Sequence, residues 1–89
     1  MTRNVKMRIY GRVQGVGFRY SAQAKARALN IRGLAKNMPD GSVYIEAGGD
    51  NSDVEVFIEW CHHGPPLARI DDVKIEECQE ISQSSFITG

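Results

Sequence analysis

The segment Gly11–Arg19 combines glycines, a glutamine and two arginines in a pattern that suits anion binding. Gly15 and Gly17 would let the chain turn sharply where a strand passes into a helix. Main-chain N–H groups at such a turn have no partner inside the helix, and they lie at the positive end of its dipole. The spacing therefore predicts a site for a phosphate-sized anion.

Arg19 falls in the first turn of the predicted helix, where a basic residue is unfavourable by a few tenths of a kcal/mol. Its presence there suggests a function, because a planar guanidinium can bind two phosphoryl oxygens at once. A plain strand-to-helix turn with a solvated arginine is the alternative that spacing alone leaves open. The segment is not a Walker loop, since the Gly-Lys-Ser/Thr ending is missing.

The composition is that of an ordinary globular protein. The chain has 89 residues, of which 42% are hydrophobic and 25% charged. Residues 1–39 contain nine Lys or Arg and no Asp or Glu, which makes the first half the better place for an anion site. No apolar stretch approaches the ~18 residues of a membrane span, and the start lacks a signal-peptide core. We expect one domain over residues 1–89, in the cytoplasm.

The pattern of apolar residues predicts four main strands and two helices. Residues 5–13 alternate in polarity, which is typical of a half-buried strand, and Phe18–Leu29 has helical composition and spacing. The other predicted elements are strands at 31–38, 42–47 and 68–78, a loop at 48–51, a helix from a Ser52–Glu55 capping box to His62, and a short edge strand at 86–88. The order β-α-β-β-α-β predicts an α+β, ferredoxin-like sandwich with an antiparallel sheet and two helices on one face.

At this point the chain resembles a known family. Gly11–Arg19 (GRVQGVGFR) has the form of the acylphosphatase signature, and Gly33–Asn37 (GLAKN) resembles the second signature, followed by a Pro-Asp-Gly hairpin. The resemblance extends over essentially the whole chain. Leu34 departs from it, because family members often have a bulky aromatic there. The tail, residues 85–89, also lacks the basic ends that are common in the family.

The resemblance implies hydrolysis of acyl phosphates such as acetyl phosphate, carbamoyl phosphate and 1,3-bisphosphoglycerate, without a metal, a cofactor or a phosphoenzyme. Arg19 would bind the phosphoryl group, and Asn37 would position the attacking water. The implied amide donors to the other phosphoryl oxygens are those of Gly15, Val16, Gly17, Phe18, Arg19 and Tyr20. The substrate would be a small molecule or an acyl-phosphorylated protein, and inorganic phosphate would inhibit as a product. We expect a monomer without nucleic-acid or membrane partners.

Two other functions stay open at this stage. The first is a regulatory module that binds phosphate or acyl phosphate without catalysis, against which the presence of both Arg19 and Asn37 argues. The second is a single-strand nucleic-acid-binding domain, since this fold also serves RNA recognition. That function needs exposed aromatics on the central strands, where only Tyr10 and Tyr44 are available.

The histidines and cysteines do not predict a metal site. His62 and His63 are adjacent, so they chelate poorly, and basic side chains suit the end of a helix. Cys61 and Cys78 are too far apart for a Cys-x-x-Cys motif. We expect both cysteines to be reduced thiols, although the sequence leaves a bridge between them open.

Overall fold

The computed structural model describes residues 1–89 and contains five strands and two helices. The elements are β1 (Thr2–Arg12), α1 (Phe18–Ala28), β2 (Arg32–Asn37), β3 (Val43–Asp50), α2 (Asn51–Cys61), β4 (Arg69–Glu77) and β5 (Phe86–Thr88). Neither helix has the length and apolar character that crossing a bilayer requires.

The strands form one sheet in the order β4-β1-β3-β2-β5. β1 is antiparallel to both β3 and β4, and β2 is antiparallel to β3. The ferredoxin-like α+β prediction is confirmed, and the predicted edge strand at 86–88 is present. One detail differs, because β5 is parallel to β2. The chain crosses from β4 to the opposite edge of the sheet through the irregular segment 78–85, so its last strand runs in the same direction as β2.

The core lies between the sheet and the two helices. Alternate residues of the central strands are buried, as expected for strands with one covered face. The helices contribute residues at steps of three or four, which form one apolar stripe on each helix. The core residues from these four elements are Val5, Met7, Ile9, Val43, Ile45, Ala47, Phe18, Ala22, Ala26, Val54, Phe57 and Cys61. Because Phe18 is the first residue of α1 and is only 1% exposed, it anchors the start of the helix against the sheet.

The start of α2 differs from the prediction. The loop expected at 48–51 is wrong, because β3 continues through Gly48 and Gly49 to Asp50, paired with the first residues of β1. The helix cap is then Asp50 rather than Ser52. The Asp50 carboxylate accepts a hydrogen bond from the Ser52 amide at 3.3 Å, so no capping box with Glu55 is needed.

The cysteines are both free thiols, which removes the bridge that the sequence left open. Cys61 is buried in the core, and burial raises the pKa of its thiol well above the ordinary value. Cys78 follows β4 and is partly exposed. The buried thiol is therefore a packing residue rather than a nucleophile.

Candidate active site

The loop between β1 and α1 is shaped by two glycines in the left-handed region. Gly15 has φ 74° and Gly17 has φ 78°, and Gly17 is the N-cap residue of α1 without any side-chain cap. A Cβ added at either position would meet no atom within 4 Å, so the backbone angle rather than crowding favours glycine here. Left-handed residues on both sides of Val16 give the loop the alternation found in anion-binding nests.

The main-chain N–H groups of residues 15–20 have no acceptor within the protein. The first helical hydrogen bond is donated by Ser21 to the Gly17 carbonyl at 3.0 Å, and no earlier residue of the loop or helix donates one. The first turn of α1 contains no acidic residue that could take up these donors. Since Gly15 and Gly17 are exposed, the loop presents unpaired donors and the positive end of a helix dipole to solvent.

Arg19 extends from the first turn of α1 with its charge unneutralised by any carboxylate side chain. Its Nη1 donates to the main-chain oxygen of Gly89 at 2.8 Å, and its Cζ lies 5.6 Å from the centroid of the Tyr20 ring. The ion pairs of the protein involve other cations. The guanidinium is thus held in place by one main-chain oxygen while its other N–H groups stay available to an anion.

Asn37 ends β2 on the side of the sheet that carries the helices. It shares a strand face with Gly33 and Ala35, it is exposed, and its carboxamide has no hydrogen-bond partner in the protein. The Gly89 N–H donates to the Ala35 carbonyl at 2.9 Å, beside the Gly89 oxygen that Arg19 contacts. Arg19 is therefore linked through Gly89 to Ala35, which lies two residues before Asn37 on β2.

Gln14 joins the loop to the strand end that carries Asn37. Its Nε2 donates to the carbonyl of Met38 at 2.8 Å and to that of Ser42 at 2.9 Å. Met38 directly follows Asn37, and Gln14 directly precedes Gly15. Our sequence analysis assigned Gln14 no role. A long neutral amide beside a glycine turn was the available signal, but nothing in the sequence showed which carbonyls it would meet.

Known proteins that are similar to this chain identify its family. The acylphosphatase family model matches residues 5–88. The chain belongs to the acylphosphatase family. It is 51% identical over 70 residues to the acylphosphatase of Thermococcus kodakarensis, a match that covers 79% of this chain and 77% of the relative.

Solved structures of family members have the same fold. The crystal structure of acylphosphatase from Bacillus subtilis superposes with a TM-score of 0.93 at 32% identity, and the match covers 100% of this chain and 99% of that one. A part of full-length HypF in its phosphate- and nucleotide-bound form also matches, with a TM-score of 0.88 and 28% identity, over 100% of this chain but 12% of that chain. The prediction of an acylphosphatase-family enzyme is confirmed.

The histidines lie outside this acylphosphatase-like site. His62 and His63 follow the last turn of α2, where their Nδ1 atoms lie 2.9 and 3.0 Å from the carbonyl oxygens of Ile58 and Glu59. No group of three or more His, Cys, Asp or Glu side chains is arranged to hold a metal ion. The two histidines therefore belong to the end of the helix, as the sequence predicted.

The hairpin after Asn37 is fixed by Asp40. Its carboxylate accepts hydrogen bonds from the hydroxyl and the amide of Ser42, the latter at 2.9 Å, and Arg8 lies 3.5 Å away. The Ser42 hydrogen bonds and the Arg8 charge hold the pKa of the Asp40 carboxyl below its usual value. The ionised carboxylate thus stabilises the turn that follows the candidate water-positioning residue.

The depressed pKa of Asp40 predicts a pH-dependent effect of Asp40→Asn. A carboxyl with a lowered pKa stabilises the folded state above its unfolded pKa of ~3.9, and this contribution is lost as pH falls through the folded pKa. The variant should therefore have a lower urea midpoint than the wild type at about pH 7, and the gap should narrow steadily as the pH falls below about 4. Asp72→Asn, at an exposed position of β4 without an ion pair, is the control for removing an acid elsewhere. A gap that stays constant with pH would contradict this account of the turn.

Proposed function

We propose that this enzyme hydrolyses acyl phosphates by direct attack of water on phosphorus, with the phosphoryl group held by Arg19 and the loop amides and the water positioned by Asn37. The observation that carries the proposal is the pair of hydrogen bonds from Gln14, which ties the donor loop to the end of the strand that bears Asn37. Family membership supports the same reaction.

The loop and Arg19 supply the electrostatic part of the reaction. The transferring phosphoryl group carries its charge on three oxygens, and the N–H groups of residues 15–20 offer enough donors to satisfy them. These donors are already in place, so little reorganisation is needed as the charge develops. Removal of one such donor typically raises a barrier by about 3–4 kcal/mol. Arg19 adds a positive charge with a planar fork that matches two of the oxygens.

Asn37 supplies alignment rather than proton abstraction. Its carboxamide oxygen can accept a hydrogen bond from water, and a neutral group does not repel the phosphate dianion as a carboxylate would. The water oxygen forms a bond to phosphorus as the bond from phosphorus to the acyl oxygen breaks. The electron pair leaves with the carboxylate, and a proton of the water passes to a phosphoryl oxygen. Because a carboxylate leaves readily, alignment and charge stabilisation suffice.

Small-molecule acyl phosphates are the substrates that the family relation supports. The solvent-facing loop would also admit an acyl phosphate on a protein side chain, which we include in the proposal. A reducing compartment such as the cytoplasm suits the free thiols of Cys61 and Cys78. We propose that the enzyme acts there as a monomer, since the residues assigned to the site come from one chain.

The reaction is tested by comparing an anhydride with an ester. The protein should hydrolyse benzoyl phosphate and acetyl phosphate, should leave the monoester p-nitrophenyl phosphate almost untouched, and should keep its activity in EDTA. In water enriched in ¹⁸O, the label should enter phosphate and not the carboxylate. Inorganic phosphate binding without hydrolysis of any acyl phosphate would favour the non-catalytic module instead. Label in the carboxylate would contradict attack on phosphorus.

The link made by Gln14 predicts a catalytic defect in Gln14→Ala. Loss of its two hydrogen bonds should cost about 1–2 kcal/mol of unfolding free energy and should loosen the strand end that carries Asn37. The amides of the loop remain, so kcat should fall more than KM rises. Gln79→Ala is the control for the loss of a glutamine side chain, because Gln79 is exposed in the segment after β4, beside the first residues of β1 and away from the loop. An equal loss of kcat in the two variants would contradict the positioning role of Gln14.

A further inference from the structure

A cleft of about 280 Å³ lies near the other end of α1, away from the loop. Its walls come from the end of α1, the start of β2 and the segment that leads into β5, and they include Arg27, Arg32, Ser84 and Ser85. Arg27 is eight residues from Arg19 along α1, which is about 12 Å along the helix axis. The cleft is thus separate from the acylphosphatase-like site. Its size is just below the ~300–1,000 Å³ of sites for drug-sized ligands, so it suits a smaller molecule.

The polar groups of the cleft carry positive charge and no negative charge. Neither arginine pairs with a carboxylate, and no acidic residue lines the cleft. Arg27 donates one hydrogen bond from Nη2 to the Phe86 carbonyl at 3.2 Å, and Arg32 donates from Nη1 to the Ile81 and Gln83 carbonyls. These contacts fix both side chains while leaving most of their N–H groups unused, since a guanidinium has five. Both arginines line the cleft, and the planar N–H groups of a guanidinium match the oxygens of an oxyanion.

The C-terminal end of α1 repels an anion less strongly than most helix C-termini do. Free carbonyl oxygens give such an end its negative potential. Here the carbonyls of Lys25, Ala26 and Arg27 accept hydrogen bonds from the N–H groups of Leu29, Asn30 and Ile31. The exposed hydroxyls of Ser84 and Ser85 make no hydrogen bond within the protein, and they add donors at the same cleft.

We propose that this cleft is a second oxyanion-binding site, with Arg27 and Arg32 as its charged ligands and the Ser84 and Ser85 hydroxyls as neutral donors. The ligand class is a small dianion of the phosphate type, free in solution. Anion binding in this cleft does not depend on the proposed reaction, because the cleft includes neither the loop amides nor Asn37.

The test is an NMR titration with inorganic phosphate that follows the main-chain amides. In the Arg19→Ala variant, in which the loop site is weakened, the amides of Asn30, Arg32, Ser84 and Ser85 should still shift and saturate together. Ser84→Asp should raise the dissociation constant of this set roughly tenfold or more, because a like charge then faces the anion across a few ångström at the surface. Ser82→Asp is the matched control, since Ser82 is exposed in the same segment but does not line the cleft.

Four results would overturn the proposal. The cleft amides could stay unmoved by phosphate, or they could move only in the wild type and lose their shifts together with the loop amides in Arg19→Ala. Ser82→Asp could also weaken phosphate binding as much as Ser84→Asp does. That result would show that the added negative charge acts by general repulsion and not within the cleft. Arg32→Gln provides a second variant that removes a ligand without adding an acid, and unchanged phosphate affinity in it would equally contradict the assignment.

Discussion

Replacing Arg19 by lysine is expected to lower kcat/KM for benzoyl phosphate by about 100- to 1,000-fold, which is the usual loss when one preorganised donor is removed. Lysine keeps the positive charge, but a compact ammonium cannot offer two parallel N–H groups to two phosphoryl oxygens. It would also exchange the Nη1 contact with the Gly89 oxygen for a more flexible one. Arg19→Ala should be at least as inactive, and the inhibition constant of inorganic phosphate should rise in both variants.

The stability of these variants separates a catalytic role from a structural one. Arg19 pairs with no Asp or Glu side chain, and lysine can keep one contact with the Gly89 oxygen, so the urea midpoint of Arg19→Lys should stay close to that of the wild type. Arg69→Lys is the matched control, because Arg69 is an exposed arginine whose carboxylate partner, Asp71, lies 3.0 Å away on β4. That substitution should leave kcat/KM unchanged. Full activity in Arg19→Lys would show that charge alone suffices and would remove the bidentate role.

Asn37→Ala is expected to lower kcat by about 100-fold while leaving the inhibition constant of inorganic phosphate within about threefold of the wild type. The substitution removes the group that would align the water, whereas the loop amides and Arg19 still bind the phosphoryl group. Because the Asn37 carboxamide makes no hydrogen bond within the protein, its loss should hardly change the unfolding free energy. Steady-state kinetics with benzoyl phosphate, with phosphate as competitor, measures both quantities.

Asn37→Asp extends this test by adding charge at nearly constant shape. A carboxylate next to the phosphoryl group should weaken phosphate binding as well as turnover. We therefore expect kcat to fall and the inhibition constant of inorganic phosphate to rise. Asn51→Ala, at the exposed first position of α2, controls for the loss of an asparagine and should not change either constant. Near-normal hydrolysis by Asn37→Ala would contradict the assigned role, whatever the behaviour of the aspartate variant.

The fold could be predicted from the sequence where a residue type limits the local backbone conformation or shows which face of a strand is buried. Glycines at 15 and 17 indicated a turn with positive φ, and both have it. The alternation of residues 5–13 indicated which face of β1 is covered, and Val5, Met7 and Ile9 are buried there. The same reasoning failed at Gly48 and Gly49. Paired glycines are typical of loops, but here they continue a ladder whose partner strand lies elsewhere in the chain.

The candidate site was predictable in its parts but not in its assembly. The loop could be recognised locally, because its donors come from consecutive residues. The link between Gln14 and the carbonyls of Met38 and Ser42 spans 24 and 28 residues, and no local pattern selects those partners. The contact of Arg19 with Gly89 likewise depends on the docking of β5, which Arg27 and Gln23 reinforce by donating to the Phe86 carbonyl. Tertiary hydrogen bonds of this kind become visible only in the folded protein.

The binding of phosphate to the loop is measured most directly by following its amides as inorganic phosphate is added. If main-chain donors and Arg19 hold the phosphoryl group, the amide signals of residues 15–20 should shift together. The dissociation constant that they report should equal the constant for competitive inhibition of benzoyl phosphate hydrolysis, and both should rise together in Arg19→Lys. Loop amides that stay unmoved at a phosphate concentration that halves the activity would contradict the account.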